Sequence, residues 1–454
     1  MKKYIIILLL TLSFSSCKIG KEYTRKGMDM PDKFTSHTQD SICFADVEWW
    51  DVYADTNLIN LIQYTLENNK DMKIAVAKVK EMAARKKIDY ADFFPKVTAN
   101  VYGQDEKLNY QGNFNTAHDI EYGAKANISW ELDLWGNLRW ANEASIAEYI
   151  STIEGQNALM MSLVAEVAEN YFELIALDNE LSIVRQTLKA REEGVNLAKI
   201  RFEGGLTSET SYQQAKLEYA KKATLVPELE KKIAMKENEI LALSGSFPKR
   251  VERTDTQTNL ILPDSIPVGL PSQLLERRPD VRKAENKLIA ANAKVGVAYT
   301  NMFPRIALTT NLGLETDRFA TLLSSPMFFI SANLLSPVFN MGKNNAKYKA
   351  QVAVYEQECY NYEKVVMNAF YDVMNALVEF NKVKEIYETR LLLKESAKVT
   401  MELAQLQYIN GVIGYLDVLD AQRNYFDAQI SLSNAYRDKQ ITMVKLYKAL
   451  GGGY

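Results

Sequence analysis

The stretch of sequence that decides the fold is residues 120–134, which read IEYGAKANISWELDL. Every even-numbered position is apolar, and the odd-numbered positions are glycine, polar or charged. Side chains of a strand point alternately to its two faces, so the pattern predicts a strand with one apolar and one polar face. Residues 97–102 alternate in the same way, and we expect the polar segment 103–118 to be the loop of a hairpin.

A second hairpin of the same character follows later in the chain. Apolar residues recur at even positions in 306–314 and 328–334, around a loop that holds Asp317 and Arg318. Such strands are long enough to cross a bilayer at a tilt, since about 9 to 11 residues suffice. A soluble two-sided sheet remains an alternative, because alternation alone does not distinguish lipid from a protein core.

Four strands are too few to close a barrel. A lipid-exposed sheet edge is not tolerated, and the smallest closed barrels have about eight strands. Closure therefore requires several copies of the chain around a symmetry axis. The polar face of the strands favours a water-filled interior, and hence twelve or more strands from three or more chains.

The chain is internally duplicated. Phe94-Pro95 recurs as Phe303-Pro304 at an offset of 209 residues, and a glycine segment at 204–206 matches 410–412 at an offset of 206. The duplication predicts the following organisation: a first repeat over 58–245 with a hairpin at 96–134 and a long helix to 203; an equatorial linker over 246–272; and a second repeat over 273–454 with a hairpin at 305–340 and a long helix to 409.

Each repeat contains one very long helical pattern. Alternating steps of three and four residues from Ile153 to Phe202 define a seam in which twelve of fifteen positions are apolar. The same seam, shifted by 206, runs from Cys359 to Tyr408. A seven-residue repeat predicts left-handed coiled coils, about 100 Å long at 1.5 Å per residue. The chain then reverses at two glycine-containing tips and returns as helices to about 242 and 449. The first tip comprises Gly204, Gly205, Leu206 and Thr207, and the second comprises Asn410, Gly411, Val412 and Gly414.

The start of the chain resembles a bacterial lipoprotein signal. Two lysines precede the apolar run 4–12, and Phe14-Ser15-Ser16 leads to Cys17. We expect residues 1–16 to be removed and Cys17 to carry a covalent lipid at the start of an N-terminal segment 17–57. The alternative is an ordinary thiol after an ordinary signal. Lys18 suits sorting to the outer membrane.

The composition argues against several other classes of protein. The chain has 454 residues with 54 Lys and Arg against 57 Asp and Glu, so no basic surface for nucleic acid is indicated. Its only histidines, His37 and His118, are isolated in loop-like settings, and no phosphate loop or H-E-x-x-H motif occurs. We expect no catalytic residues, no metal and no cofactor apart from the lipid on Cys17.

Six segments carry a resemblance to a known family. The two most specific are Leu274-Leu275-Glu276-Arg277-Arg278-Pro279-Asp280 and Tyr415-Leu416-Asp417-Val418-Leu419-Asp420-Ala421-Gln422-Arg423. The chain resembles the outer-membrane factors, the TolC/OprM-like channels of tripartite efflux systems, and within them the lipoproteins of the resistance–nodulation–division branch. The other matching segments are Trp130-Glu131-Leu132-Asp133-Leu134-Trp135-Gly136 and residues 17–23, 49–50 and 447–454.

The resemblance implies both a fold and a function. The fold is mainly α with a membrane β-barrel, in which a homotrimer completes 12 strands and long antiparallel coiled-coil helices form a periplasmic α-barrel. The function is a passive exit channel in the outer membrane for drugs or other small toxic compounds. Its partners are a periplasmic adaptor protein and a proton-driven inner-membrane pump. Two alternatives are an exit channel for proteins in type I secretion and a structural coiled-coil lipoprotein without a pore.

Leu416, Asp420 and Arg423 are the candidate gate. Their spacing places them on one helical stripe, and three-fold symmetry would bring three such stripes together, with Arg423 pairing the carboxylates. The matching residues form the closed periplasmic gate in the family. Their equivalents in the first repeat are uncharged, namely Thr210, Gln214 and Leu217. The alternative is an exposed intrahelical pair. The tips are the candidate adaptor contacts, with simple helix reversal as the alternative.

Overall fold

A computed structural model describes residues 18–25, 27, 31, 34, 44–53, 55–108, 117–254, 267, 271–336 and 339–454. The predicted signal, Cys17, His37 and part of the 246–272 linker lie outside the described residues. The chain divides into two compact units. The first unit takes the described residues of 1–28, 77–153 and 283–364, and the second takes those of 29–76, 154–282 and 365–454.

Ten α-helices and four strands are present in the described residues. Their order is α1 (Trp49–Val52), α2 (Thr56–Asn68), α3 (Lys70–Ala91), β1 (Lys96–Leu108), β2 (Ala117–Leu132), α4 (Asn137–Glu203), α5 (Glu209–Ala223), α6 (Leu225–Leu243), α7 (Leu274–Arg277), α8 (Pro279–Thr300), β3 (Arg305–Thr316), β4 (Pro326–Leu335), α9 (Lys343–Ile409) and α10 (Tyr415–Ala449). Helices α4 and α9 have 67 residues each, and both ends of α9 lie 206 residues after those of α4. No helix in the described part of the chain is both long and apolar enough to span a bilayer.

The four strands of the first unit form one antiparallel sheet in the order β1-β2-β3-β4. Its register places the odd-numbered residues of β1 on the same face as the even-numbered residues of β2, β3 and β4. Ala99 lies opposite Ala126, which lies opposite Leu312, which in turn lies opposite Phe328. The predicted amphipathic hairpins are therefore present, and their apolar sides coincide across the sheet.

The strands of the first hairpin are longer than predicted. The segment 103–118, expected to be a loop, contributes the end of β1 to Leu108 and the start of β2 from Ala117. His118 consequently lies in a strand rather than in a loop. Polar side chains bond across this extension, where Gln104 Nε2 donates to Glu121 Oε2 at 2.9 Å. Backbone pairing continues here without an apolar face, so alternation did not indicate it.

The coiled-coil seams are confirmed. Every predicted seam position from Ile153 to Phe202 and from Cys359 to Tyr408 is buried or half-buried. In the second unit, Leu174 and Val184 of α4 join a core cluster with Ile240 of α6. Phe380 of α9 joins another with Leu446 of α10. Burial of each such side chain contributes roughly 1.5 to 3 kcal/mol, so the seams supply the main cohesion of this unit.

The first return helix is interrupted where a single helix was expected. It is divided into α5 and α6 at Thr224, three residues before Pro227. Proline has no amide hydrogen to donate to the carbonyl four residues earlier, and its ring crowds that carbonyl. The corresponding helix of the second repeat, α10, contains no proline and is continuous.

Residues 18–25 form an N-terminal strap across helices of the first unit. The indole of Trp140 on α4 donates to the carbonyl of Ile19 at 2.8 Å. Farther along, Asn292 on α8 donates to the carbonyl of Lys21 at 3.1 Å, and Arg25 pairs with Glu285 at 2.5 Å. The hydrogen bonds that Arg25 donates to Glu285 raise the pKa of Arg25. The strap is thus held along its whole described length.

Candidate functional site

Helix α10 carries the three residues of the candidate gate. Leu416, Asp420 and Arg423 lie in its first turns, and Leu416 is 53% exposed. Arg423 Nη1 donates to Asp420 Oδ1 at 2.8 Å. The structure therefore brings Asp420 and Arg423 together within one helix and leaves Leu416 on the surface of the single chain.

The stronger partner of Arg423 comes from the first repeat. Glu218 on α5 accepts from Arg423 Nη2 at 2.7 Å through Oε1 and from Nε at 3.3 Å through Oε2. The Glu218 side chain is 4% exposed, whereas that of Asp420 is 58% exposed. Two hydrogen bonds to a buried carboxylate hold a guanidinium better than one contact with an exposed carboxylate. We call Glu218, Asp420 and Arg423 the gate cluster.

The pairing sets the protonation of Glu218. Hydrogen bonds from Arg423 lower the pKa of the Glu218 carboxyl from 4.5 to about 2, against the opposing effect of burial. Lys221, whose Nζ lies 3.1 Å from Glu218 Oε1, acts in the same direction as Arg423. The same bond raises the pKa of Arg423. Glu218 and Arg423 are therefore both charged at neutral pH.

A buried cation lies beside the gate cluster. Arg191 on α4 is 4% exposed, and its Nη1 donates to Gln422 Oε1 at 2.5 Å. Its Nη2 has no hydrogen-bond partner among the described residues. Burial lowers the pKa of Arg191, while the charge of Glu218 opposes that effect. Arg191 is thus close enough to Glu218 to interact electrostatically, and it contacts Gln422, which directly precedes Arg423 in the sequence.

Sequence reasoning missed Glu218. The duplication pairs the three gate residues with uncharged positions, and Glu218 lies one residue beyond Leu217, the last of them. The contact joins residues 205 positions apart on two different helices. No local spacing rule finds such a pair, although Glu218 is the only acidic residue between Thr210 and Tyr219.

The two tips close with the same backbone motif. At the first tip Gly205 N donates to Phe202 O at 2.9 Å and Leu206 N to Arg201 O at 2.8 Å. Gly411 and Val412 repeat these bonds at the second tip, and both central glycines have positive φ, +73° and +76°. This is the Schellman pattern that ends helices. Of the predicted contact residues, Thr207 is half-buried and the other seven are exposed.

Other predicted features have no structural test in the described residues. Cys17, the candidate lipidation site, lies outside them. No group of three or more His, Cys, Asp or Glu side chains in the described part of the chain is placed to hold a metal ion.

Comparisons with known proteins decide the family. The family model described as outer membrane efflux protein matches residues 61–246 and 270–452, one segment in each repeat. The chain belongs to the outer membrane efflux protein family. It is 29% identical to the cation efflux system protein CusC of Escherichia coli, over 97% of either chain. It is 31% identical to the toluene efflux pump outer membrane protein TtgC of Pseudomonas putida, over 91% of this chain and 86% of that protein.

Solved structures agree with this membership. The outer-membrane channel OprN superposes with a TM-score of 0.90 at 26% identity, covering 96% of this chain and 99% of that one. The predicted fold class is confirmed, with long helices and a four-stranded antiparallel sheet. The protein resides in the outer membrane and serves as the exit channel of an efflux system.

Proposed function

We propose that three copies of this chain close into one channel whose gate cluster holds the periplasmic end shut. In this channel three four-stranded sheets complete a 12-stranded barrel, and the helices form a barrel in the periplasm. Small toxic compounds pass through it without chemistry. They are delivered by an inner-membrane proton-driven pump through a periplasmic adaptor.

The sheet supports the trimer. Strands β1 and β4 are its edges, and each has one strand partner in the described residues. Large side chains are exposed on the apolar face of the sheet, including Phe328 at 66% on β4 and Val101 at 79% on β1. The apolar side chains suit contact with lipid, whereas the open edges leave backbone groups unpaired in a bilayer until neighbouring chains pair with them.

Helix α9 supports association of the helical parts. Outside its buried seam, it carries a row of positions spaced by seven residues, which we call the outer stripe. The outer stripe consists of Tyr371, Val378, Glu385, Leu392, Val399 and Leu406. Its five apolar members are between 53% and 68% exposed in the single chain. A second heptad stripe is what a helix needs when it packs against neighbours on two sides, as in the wall of a tube.

The gate cluster is the observation that supports a closed periplasmic end. Arg423 bonds Glu218 and Asp420 at once, so it ties α10 to α5. Both helices begin directly after a tip. An adaptor that binds the tips would therefore act on the helices that the cluster holds together. We assign adaptor contact to the exposed tip residues, and attachment of the outer-membrane lipid anchor to Cys17.

Conductance of the trimer in planar bilayers tests the gate. We expect Arg423→Ala to raise the mean conductance more than Asp420→Ala, because Arg423 bonds the buried Glu218 and Asp420 does not. The matched control is Arg85→Ala, which removes an exposed intrahelical ion pair with Glu81 at 2.8 Å on α3. Unchanged conductance in both gate variants, or an equal rise in the control, would refute the assignment.

A further inference from the structure

One cavity of the first unit lies outside the gate cluster. It lies between α8 and α9, next to the first residue of β3 and the last residue of β4, and has a volume of about 750 Å³. Sites for small organic ligands commonly have about 300 to 1,000 Å³. The cavity is thus large enough for an organic molecule with several rings.

The lining of this cavity is cationic and apolar. Lys294, Arg305 and Lys347 contribute three positive side chains, and the lining contains no carboxylate. Acidic residues slightly outnumber basic ones in the whole chain, which has a net charge of −3. A lining with three cations and no acid therefore differs from the average surface of this chain. Val297, Phe303 and Val354 supply apolar surface. Cations together with apolar walls suit a molecule that has an anionic group on an apolar body.

Two of the three cations have acidic partners outside the cavity. Lys294 pairs with Glu148, and Arg305 lies 3.9 Å from Glu131. Both cationic side chains are 49% exposed, so these pairs neutralise little. Lys347 makes no ion pair with any described residue, and it lies near the start of α9, whose first turn contains no acidic residue. The positive end of the helix dipole adds to its charge.

The face of α8 that lines the cavity is opposite to the face under the N-terminal strap. The strap contacts Glu285 and Asn292, whereas the cavity is lined by Lys294 and Asn301. Each of these two lining residues follows a strap contact by nine residues. Nine residues make about two and a half turns at 3.6 residues per turn, and the extra half turn places the two sets on opposite sides of the helix. Arg305 also occupies an odd-numbered position, on the polar side of the sheet. In the proposed trimer the strap leads to the lipid anchor outside the tube, so the cavity faces the lumen.

We propose that this cavity is a lumenal binding site for amphipathic organic anions in transit, with Lys347 as its principal anion contact. The inference rests on the proposed trimeric channel, because the trimer defines the lumen. Three copies of the cavity would surround the path at the level where the strands begin.

Calorimetric titration of the purified trimer tests the site with two probes of equal size and opposite charge, naphthalene-1-sulfonate and 1-naphthylmethylammonium. We expect the sulfonate to bind more tightly than the ammonium. Lys347→Gln should raise the Kd of the sulfonate by about 2- to 5-fold, which is the loss expected for one ion pair at an exposed position. The matched control is Lys349→Gln, which removes an exposed lysine of the same helix outside the lining and should leave the Kd unchanged.

Planar-bilayer recordings of the same preparations separate this inference from the proposed function. A conducting wild type that binds both probes equally, or that binds neither, overturns the site and leaves the channel intact. Equal effects of Lys347→Gln and Lys349→Gln also overturn it. A trimer that does not conduct refutes the channel and, with it, the lumenal assignment, whatever the calorimetry shows.

Discussion

Glu218 is the residue on which the electrostatics of the gate cluster depend. It is the buried acid between Arg423 and Lys221, with Arg191 within electrostatic reach. Loss of one member of such a group leaves the opposite charges without compensation in a low-dielectric setting, which costs more than the loss of an exposed pair. Arg423 is therefore held mainly by the buried Glu218 of the first repeat, and the exposed Asp420 contributes less.

The lowered pKa of Glu218 predicts that the gate opens in acid. Its carboxyl has a pKa of about 2 when it is paired and 4.5 otherwise. Pairing thus stabilises the closed state fully above about pH 4.5, and this contribution is lost as the pH falls towards 2. We expect the open probability of wild-type channels in planar bilayers to be constant above about pH 5 and to rise between about pH 4.5 and pH 3.

Glu218→Gln is the test of this cause. The variant should conduct at neutral pH as wild type does in acid, and should show a much smaller change between about pH 6 and pH 3. Glu81→Gln, which removes an exposed acid on α3, should retain the wild-type profile. If Glu218→Gln keeps the full acid response, another group is responsible and the assigned role of Glu218 is wrong.

How much of this site was predictable depends on the type of contact. The contact between Asp420 and Arg423 was predictable because helical spacing is a local property of the sequence, whereas their role in a gate was inferred from the family resemblance. Glu218 was missed because its partnership depends on how α5 packs beside α10. No sequence pattern singled out Lys347 as a binding residue. Its proposed role depends on a cavity that two helices and two strand ends line together.

At the scale of elements, the duplication extends to backbone detail. The end of α6 and the end of α10 close as the tips do, since Gly245 N donates to Ala242 O at 3.1 Å and Gly451 N to Lys448 O at 3.0 Å. Both glycines have positive φ, +70° and +90°. Four helix ends thus share one motif. The glycines form two pairs, Gly205 with Gly411 and Gly245 with Gly451, and the members of each pair are 206 residues apart. Glycine is required there because other residues are strained in the left-handed region.

The tip motif predicts opposite effects for two glycine substitutions. Gly411 has φ +76° with open space around its missing side chain, so Gly411→Ala should cost about 1 kcal/mol through backbone strain alone. Gly194 lies inside α4, where an added methyl group would meet only the Tyr415 hydroxyl at an ordinary 3.6 Å. Gly194→Ala should therefore stabilise the chain by about 0.5 to 1 kcal/mol. Thermal unfolding followed by circular dichroism measures both changes, and shifts in the same direction would contradict the assigned conformations.

The elements themselves were largely predictable, for a physical reason. A seam of fifteen positions and a two-residue alternation are long, redundant signals, so both long helices and both hairpins were located correctly. Strand ends and helix breaks depend on few residues. The extension of β1 to Leu108 has no apolar pattern, and the break at Thr224 depends on one proline.

At the scale of the whole molecule, the outer stripe of α9 distinguishes a lone chain from an assembled one. Its leucine and valine side chains are exposed here, and surface substitutions of exposed residues normally change stability by less than about 0.5 kcal/mol. The same side chains would be buried if neighbouring chains packed against them, and a buried unpaired charge is costly. The sequence did not predict the outer stripe. Apolar residues at seven-residue spacing look the same in the sequence whether they pack within the chain or lie exposed on its surface.

Charges placed on the outer stripe should therefore abolish the trimer while leaving each chain folded. We expect Leu392→Asp combined with Val399→Asp to elute as monomer in size-exclusion chromatography with light scattering in detergent. Its helical content by circular dichroism should match that of wild type, because both positions are exposed in the single chain. Thr400→Asp adds a carboxylate to an already polar, exposed position one residue from the stripe and should remain trimeric. A stable trimer in the double variant would show that α9 does not use this stripe for assembly, and the helical wall would then need a different interface.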